Sequence, residues 1–166
     1  MTRHYNTAVN RFVLYSPFSE RKMSEEWKEV SAAWKGDMTF IGENAEGGTV
    51  QMGSLDGQPG VGPMQLVLVG LAGCTGMDVV SILQKKRALL TDFKVNVRGK
   101  RASDHPMVYT HIEVEYLLWG ENLKARDVEQ AIALSEEKYC SVSIMLKKTA
   151  AIRSSYRILM PGQAEA

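Results

Sequence analysis

"GPMQLVLVGLAGCTGMDVVSILQKKR", residues 62–87, is the dominant apolar run of the chain, and its reading decides how everything else is arranged. Pro63 suits the first position of a helix, where its missing N–H costs nothing. Lys85, Lys86 and Arg87 suit the last turn, where cations complement the partial negative charge of a helix end. A helix over 63–87 is therefore expected. Its length would fit a bilayer. However, Gln65, Thr75, Asp78 and Ser81 interrupt it, and an acid near the bilayer centre costs about 3 kcal/mol. The stretch reads instead as a core helix needing cover on every side, with no membrane partner.

Within it, Gly70, Gly73 and Gly76 follow one another at a spacing of three. Each costs about 1 kcal/mol relative to alanine in a helix interior, so the missing side chains must serve packing. Small residues on a helix face let a second backbone come close. That neighbour is either another element of the same subunit or the same helix of a second copy. A short chain with few strands offers little surface to wrap such a helix, and a homodimer with two helices back to back is the expected solution.

Upstream, "EVSAAWKGDMTFIGENAEGGTVQMGS" carries turn signals at Gly36-Asp37 and Glu46-Gly47-Gly48 between short, partly alternating runs, which predicts a three-stranded meander. "LDGQPGVGP" follows as a loop. Downstream, Phe93, Val95 and Val97 share one face, as do Ile112, Val114, Tyr116 and Leu118, so a hairpin is expected around "ASDHP". Asn122 is a candidate cap for a second helix carrying Val128, Ala131, Ile132 and Ser135 on one face. The pattern changes phase near Tyr139-Cys140, which predicts a separate short helix over "SVSIMLKK" before a closing strand in "AAIRSSYRILM". The order of strands, long helix, hairpin, helices and strand makes the fold α+β with mainly antiparallel pairing. Residues 1–23 read as an N-terminal arm, and 24–166 as a single domain.

A chain of 166 residues can bury one real core, and 45% hydrophobic with 23% charged residues is the balance of a soluble globular protein. A net charge of +1 gives no electrostatic footprint for nucleic acid. Two cysteines exclude a disulfide-dense secreted scaffold, and "MTRHYNTAVNRF" lacks the apolar core of a signal peptide, so a cytoplasmic location is expected.

The cysteines are the candidate chemistry. One buried cysteine on an apolar helix is usually a small hydrophobe. Cys74 lies about three turns into the helix, too deep for the helix's N-terminal field to acidify it. Asp78, one turn further on the same face, would raise a neighbouring thiol's pKa when ionised. Leu71 and Met77 complete an apolar surrounding that could hold a substrate. Cys140, at the start of the short helix, has the better local field for a thiolate. If the two meet, one thiolate can cleave a peroxide O–O bond, and the other thiol can condense with the resulting sulfenic acid. Thiol–disulfide exchange with a reductant would then restore the pair. His4, His105 and His111 have no zinc-ligand spacing to either cysteine, so no metal and no cofactor are expected. A second reading keeps the apolar surroundings but drops the chemistry: a dimeric protein binding a fatty acyl or other apolar small molecule at the subunit interface.

The central helix sequence resembles the signature of the OsmC/Ohr family, particularly its OsmC-like branch, and Cys140 in "EEKYCSVSIML" matches that family's second cysteine in kind, order and distance. The resemblance spans about residues 27–160. It implies an intertwined homodimer, antiparallel sheets wrapped around paired central helices, and active sites at the subunit interface. It further implies that Cys74 attacks organic hydroperoxides in oxidative-stress defence, that Cys140 resolves the sulfenic acid, and that a dithiol, lipoyl-linked in some members, is the reductant. Peroxidase members place an arginine upstream of the first cysteine and a glutamate just after the helix-opening proline. Here Met64 and Gln65 follow Pro63, and no arginine occurs between Arg21 and Cys74.

Overall fold

The structure, a computed structural model, describes residues 27–165; the expected N-terminal arm lies outside the described residues. The first three strands, β1 (Val30–Gly36), β2 (Thr39–Asn44) and β3 (Thr49–Met52), form the expected antiparallel meander. Its turns fall where the glycines allow positive φ, at Gly36-Asp37 and at Gly47. The expected loop after β3 instead folds into a small hairpin, β4 (Ser54–Leu55) with β5 (Gln58–Pro59). Asp56 and Gly57 both adopt left-handed φ between these strands, the geometry that Asp-Gly favours in a two-residue turn.

The long helix α1 runs Pro63–Lys85. Proline is its first residue, and the Gly62 N–H donates to Gln65 Oε1 at 2.8 Å. At the other end Lys86 is the cap and Arg87 turns left-handed at φ 58°. There the Ala88 N–H donates back to the Leu83 carbonyl and the Arg87 N–H to that of Gln84, closing the exposed last turn. Two long strands follow, β6 (Leu90–Arg101) and β7 (Tyr109–Gly120), paired antiparallel with Val95 opposite Tyr116 and Phe93 opposite Leu118. The next helix, α2 (Ala125–Leu134), is capped by Lys124 and not by Asn122. Asn122 takes left-handed φ in the preceding turn, a use asparagine shares with capping.

After α2 come a π-helical turn (Ser135–Tyr139), the short helix α3 (Ser141–Leu146) and β8 (Ala151–Leu159). β8 lies beside β7 in parallel, with Tyr156 opposite Tyr116. A parallel return requires a long crossover, and here α2, the π-turn and α3 supply it. Both α2 and α3 pack against α1. The core therefore forms where α1 and the crossover meet the inner face of β6-β7-β8, around Leu71, Val79, Leu83, Ile112, Tyr116, Leu118 and Val128. α1 is long and apolar enough to cross a membrane. One face of it is nevertheless the spine of this α+β fold.

The glycines do not form one stripe. Gly76 is buried, and a Cβ there would touch Phe93 and Val95 on β6 at 3.4 and 3.5 Å. Gly70 and Gly73 face open space, with Val69 and Met77 also exposed on α1. Two steps of three residues turn about 120° around a helix, enough to carry Gly76 onto a different face. Packing within the subunit thus accounts for Gly76 alone.

Candidate functional site

The crossover that β8 demands is also what carries Cys140 to α1. The π-turn adds a residue to the helical register, as the phase change in the sequence anticipates, and the chain leaves it extended at Cys140 (φ −73°, ψ 96°). Cys140 then caps α3, its Sγ accepting a hydrogen bond from the Ser143 N–H at 3.3 Å. From the facing helix come Cys74 and, one turn on, Asp78. The two sulfurs and a carboxylate oxygen of Asp78 lie within 4.8 Å of one another. Both cysteines are free thiols, Cys140 fully buried and Cys74 half-buried.

Position at a helix start predicts an acidified Cys140, and the structure reverses that expectation. Burial pushes the Cys140 thiol up from 9.0 to about 11. The Ser143 N–H works the other way, while the Cys74 sulfur and the Asp78 carboxylate add to the rise. A single amide donor does not offset the loss of water around a thiolate flanked by two groups of like charge. Cys140 therefore keeps its proton at neutral pH, and Cys74 is the more accessible of the two sulfurs.

A line of hydroxyls leads to Asp78. Tyr116 on β7 meets Thr75 on α1 at 2.7 Å, Thr75 meets Ser135 on the π-turn at 2.9 Å, and Ser135 Oγ donates to Asp78 Oδ2 at 2.9 Å. Ser135 spends its one proton on Asp78, so the other directions follow by elimination: Thr75 donates to Ser135 and Tyr116 to Thr75. Burial raises the Tyr116 pKa to about 12, partly countered by Thr75 and reinforced by Glu136 and Cys140, so the phenol remains a donor. Thr75, Tyr116 and Ser135 are the residues that sequence patterning passes over, because each occupies a position on an apolar face. That placement is itself the signal: three hydroxyl-bearing residues aimed into a core must find partners.

The other expected supporting residues are spread along α1. Asp78 is at the sulfurs. Leu71 is core at 1% exposure, and Met77 is 76% exposed on the open face with Gly73. Met64 packs on the core and its carbonyl accepts from Tyr109 Oη, while Gln65 is occupied in capping. A groove of about 540 Å³, lined by Val61, Leu68, Val69, Ala72 and Val95 with polar Gln65 and Asn96 among them, runs beside α1. As for metal, Cys74, Asp78 and Cys140 offer two sulfurs and one oxygen.

The model of the OsmC-like protein family matches residues 55–155, the segment holding α1, both cysteines, β6, β7 and the start of β8. Protein YhfA of Escherichia coli is 40% identical over 131 residues, covering 79% of this chain and 98% of YhfA. A hypothetical protein of Aquifex aeolicus VF5, known from its crystal structure, is 36% identical with a TM-score of 0.74, over 81% of this chain and 98% of that one. The organic hydroperoxide resistance protein OhrB of Bacillus subtilis shares the fold at 16% identity and a TM-score of 0.56, over 81% of this chain and 100% of OhrB. Sequence and architecture together place the chain in the OsmC-like family.

Proposed function

We propose that this protein reduces organic hydroperoxides with a thiol pair, working as a homodimer in the cytoplasm in oxidative-stress defence. The observation that carries the reading is the meeting of Cys74 and Cys140, distant in sequence, with sulfurs inside 4.8 Å and the deeper one protonated. Cys74 attacks the peroxide and becomes a sulfenic acid. Cys140 then closes the disulfide, and a dithiol, lipoyl-linked or otherwise, reopens it. No separate cofactor or metal enters the cycle. The fold is shared with proteins named for organic hydroperoxide resistance, which supports the peroxide as substrate class.

The homodimer has its own support. β1 is exposed along nearly its whole length although it carries Val30 and Trp34, and Met38 beside it is 84% exposed. α1 exposes Val69 and Met77 around two glycines with nothing against them. Apolar surface exposed on two elements fits a second copy. A second copy would cover the largely apolar groove beside α1, which suits a fatty-acyl hydroperoxide. It also keeps alive the alternative of a non-catalytic protein that holds an apolar ligand there.

The assay is turnover of cumene hydroperoxide with reduced lipoamide as electron donor. The wild type is expected to consume peroxide and dithiol one for one. Cys74→Ser should abolish consumption, and Cys140→Ser should stop after a single equivalent. Peroxide that persists beside fully reduced cysteines would overturn the proposal and favour the ligand-binding alternative.

A further inference from the structure

We infer that Asp78 is a catalytic residue of the second chemical step, taking the proton of the Cys140 thiol as that sulfur attacks Cys74. The inference rests on the thiol-pair reading for its substrate but draws its geometry independently. Asp78 stands one helical turn beyond Cys74 on the buried side of α1, and its carboxylate lies within 4.8 Å of both sulfurs. That separation leaves room for direct transfer after small side-chain motion, or for transfer through one water.

Cys140 needs such a group. It is fully buried and protonated, so attack by its sulfur must be accompanied by proton loss to something at hand. Asp78 is also held for the task. Ser135 fixes Oδ2, Thr75 and Tyr116 fix Ser135, and among the described residues no hydrogen bond engages Oδ1. The line of three hydroxyls holds the carboxylate in place from one side.

The step balances. In the first half, the Cys74 thiolate attacks the outer oxygen of ROOH. An S–O bond forms, the O–O bond breaks, the sulfur is oxidised, and the alkoxide leaves as ROH with a proton from water. In the second half, Asp78 takes the Cys140 proton, the sulfur attacks that of the Cys74 sulfenic acid, an S–S bond forms and the S–O bond breaks. The leaving hydroxide collects the proton from Asp78 and departs as water. Asp78 ends as it began.

The groups that face Asp78 are Cys74 on its own helix, Cys140 on α3, Ser135 on the π-turn and, through the hydroxyls, Tyr116 on β7. Glu136 on the π-turn is paired with Lys147. β6 presents apolar Phe93 and Val95 to α1, and α2 pairs its Asp127 with Lys86 at the far end of the helix.

The test separates this step from peroxide chemistry. Dithiobis-nitrobenzoate loads Cys74 as a mixed disulfide with release of one thionitrobenzoate; attack by Cys140 releases the second. At pH 7, Asp78→Asn is expected to slow the second release by about 10- to 100-fold, without slowing the first. Its rate should also rise about tenfold per pH unit, because only pre-ionised Cys140 then reacts, whereas the wild-type rate should be much flatter. Asp78→Glu should recover part of the rate. Ser135→Ala, which keeps the carboxylate but frees it, should lose several-fold, and it serves alone if the Asn variant does not fold. Second-phase rates and pH profiles equal to wild type in both Asp78→Asn and Ser135→Ala would overturn the inference. If peroxide leaves the cysteines untouched while the Asn variant slows the second release, the peroxidase reading fails and the role of Asp78 stands.

Discussion

Cys140 shows how burial outweighs a local hydrogen bond. Its sulfur gains one amide donor but loses water and faces both Cys74 and Asp78, so its proton is held to about pH 11. The sign of the stability effect follows. The folded pKa lies above the unfolded one, so the contribution is complete below about pH 9 and disappears as pH climbs toward 11. Denaturant titration of the reduced protein should show stability falling between those limits by on the order of 2 kcal/mol more in the wild type than in Cys140→Ala. Alkylation gives a second check at this scale: iodoacetamide near neutral pH should modify Cys74 well before Cys140, as read by peptide mass spectrometry. Equal labelling would contradict the assignment of first attack to Cys74. Thr75 is the joint of the hydroxyl line, and Thr75→Val takes the Thr75 partner from buried Tyr116 and leaves Ser135 only Asp78. A loss of about 1–3 kcal/mol in denaturant titration is expected. The two cysteines and Asp78 are legible in the sequence because few other residues can do thiol and proton chemistry. The hydroxyl line is not, since its members come from three elements and each resembles an ordinary core position until the elements are packed.

At the scale of elements, α1 was the most readable part of the chain. Pro63, the basic last turn and an unbroken apolar run leave little alternative to a long helix. Its end is less obvious, since an arginine and not a glycine takes the left-handed position after the cap. An L-residue there costs about 1–2 kcal/mol, so Arg87→Gly should raise stability, by about 0.5–1 kcal/mol after allowing for the extra freedom of glycine in the unfolded chain. A lower melting temperature in that variant would mean that the Arg87 side chain itself contributes more than the backbone strain costs. The short hairpin at Asp56-Gly57 and the misplaced cap at Asn122 were hidden for one shared reason. Asp, Asn and Gly serve loops, caps and left-handed turns alike, and only the neighbouring strands decide among those uses. The π-turn was visible only as a break in phase, yet that break is what positions Cys140.

Viewed whole, the described protomer has a well-filled core on one side of α1 and apolar surface on the other. Among the described residues nothing lies against Gly70 and Gly73, which leaves the helix backbone there open to a second copy. Gly73→Leu should therefore convert a dimer to monomers in sedimentation velocity while leaving the helical circular dichroism intact. A wild type that sediments as a monomer would contradict the homodimer. The fold class and the order of elements could be read from the chain because periodicity and turn residues are local. The union of α1, the crossover and β7 at one point could not, because it depends on the parallel return of β8. If Cys74 and Cys140 of one chain form a working pair, intact mass after one equivalent of cumene hydroperoxide should fall by about 2 Da per chain, with a single Cys74–Cys140 peptide cross-link. An unchanged mass, or a gain of about one oxygen with Cys140 still free, would contradict it.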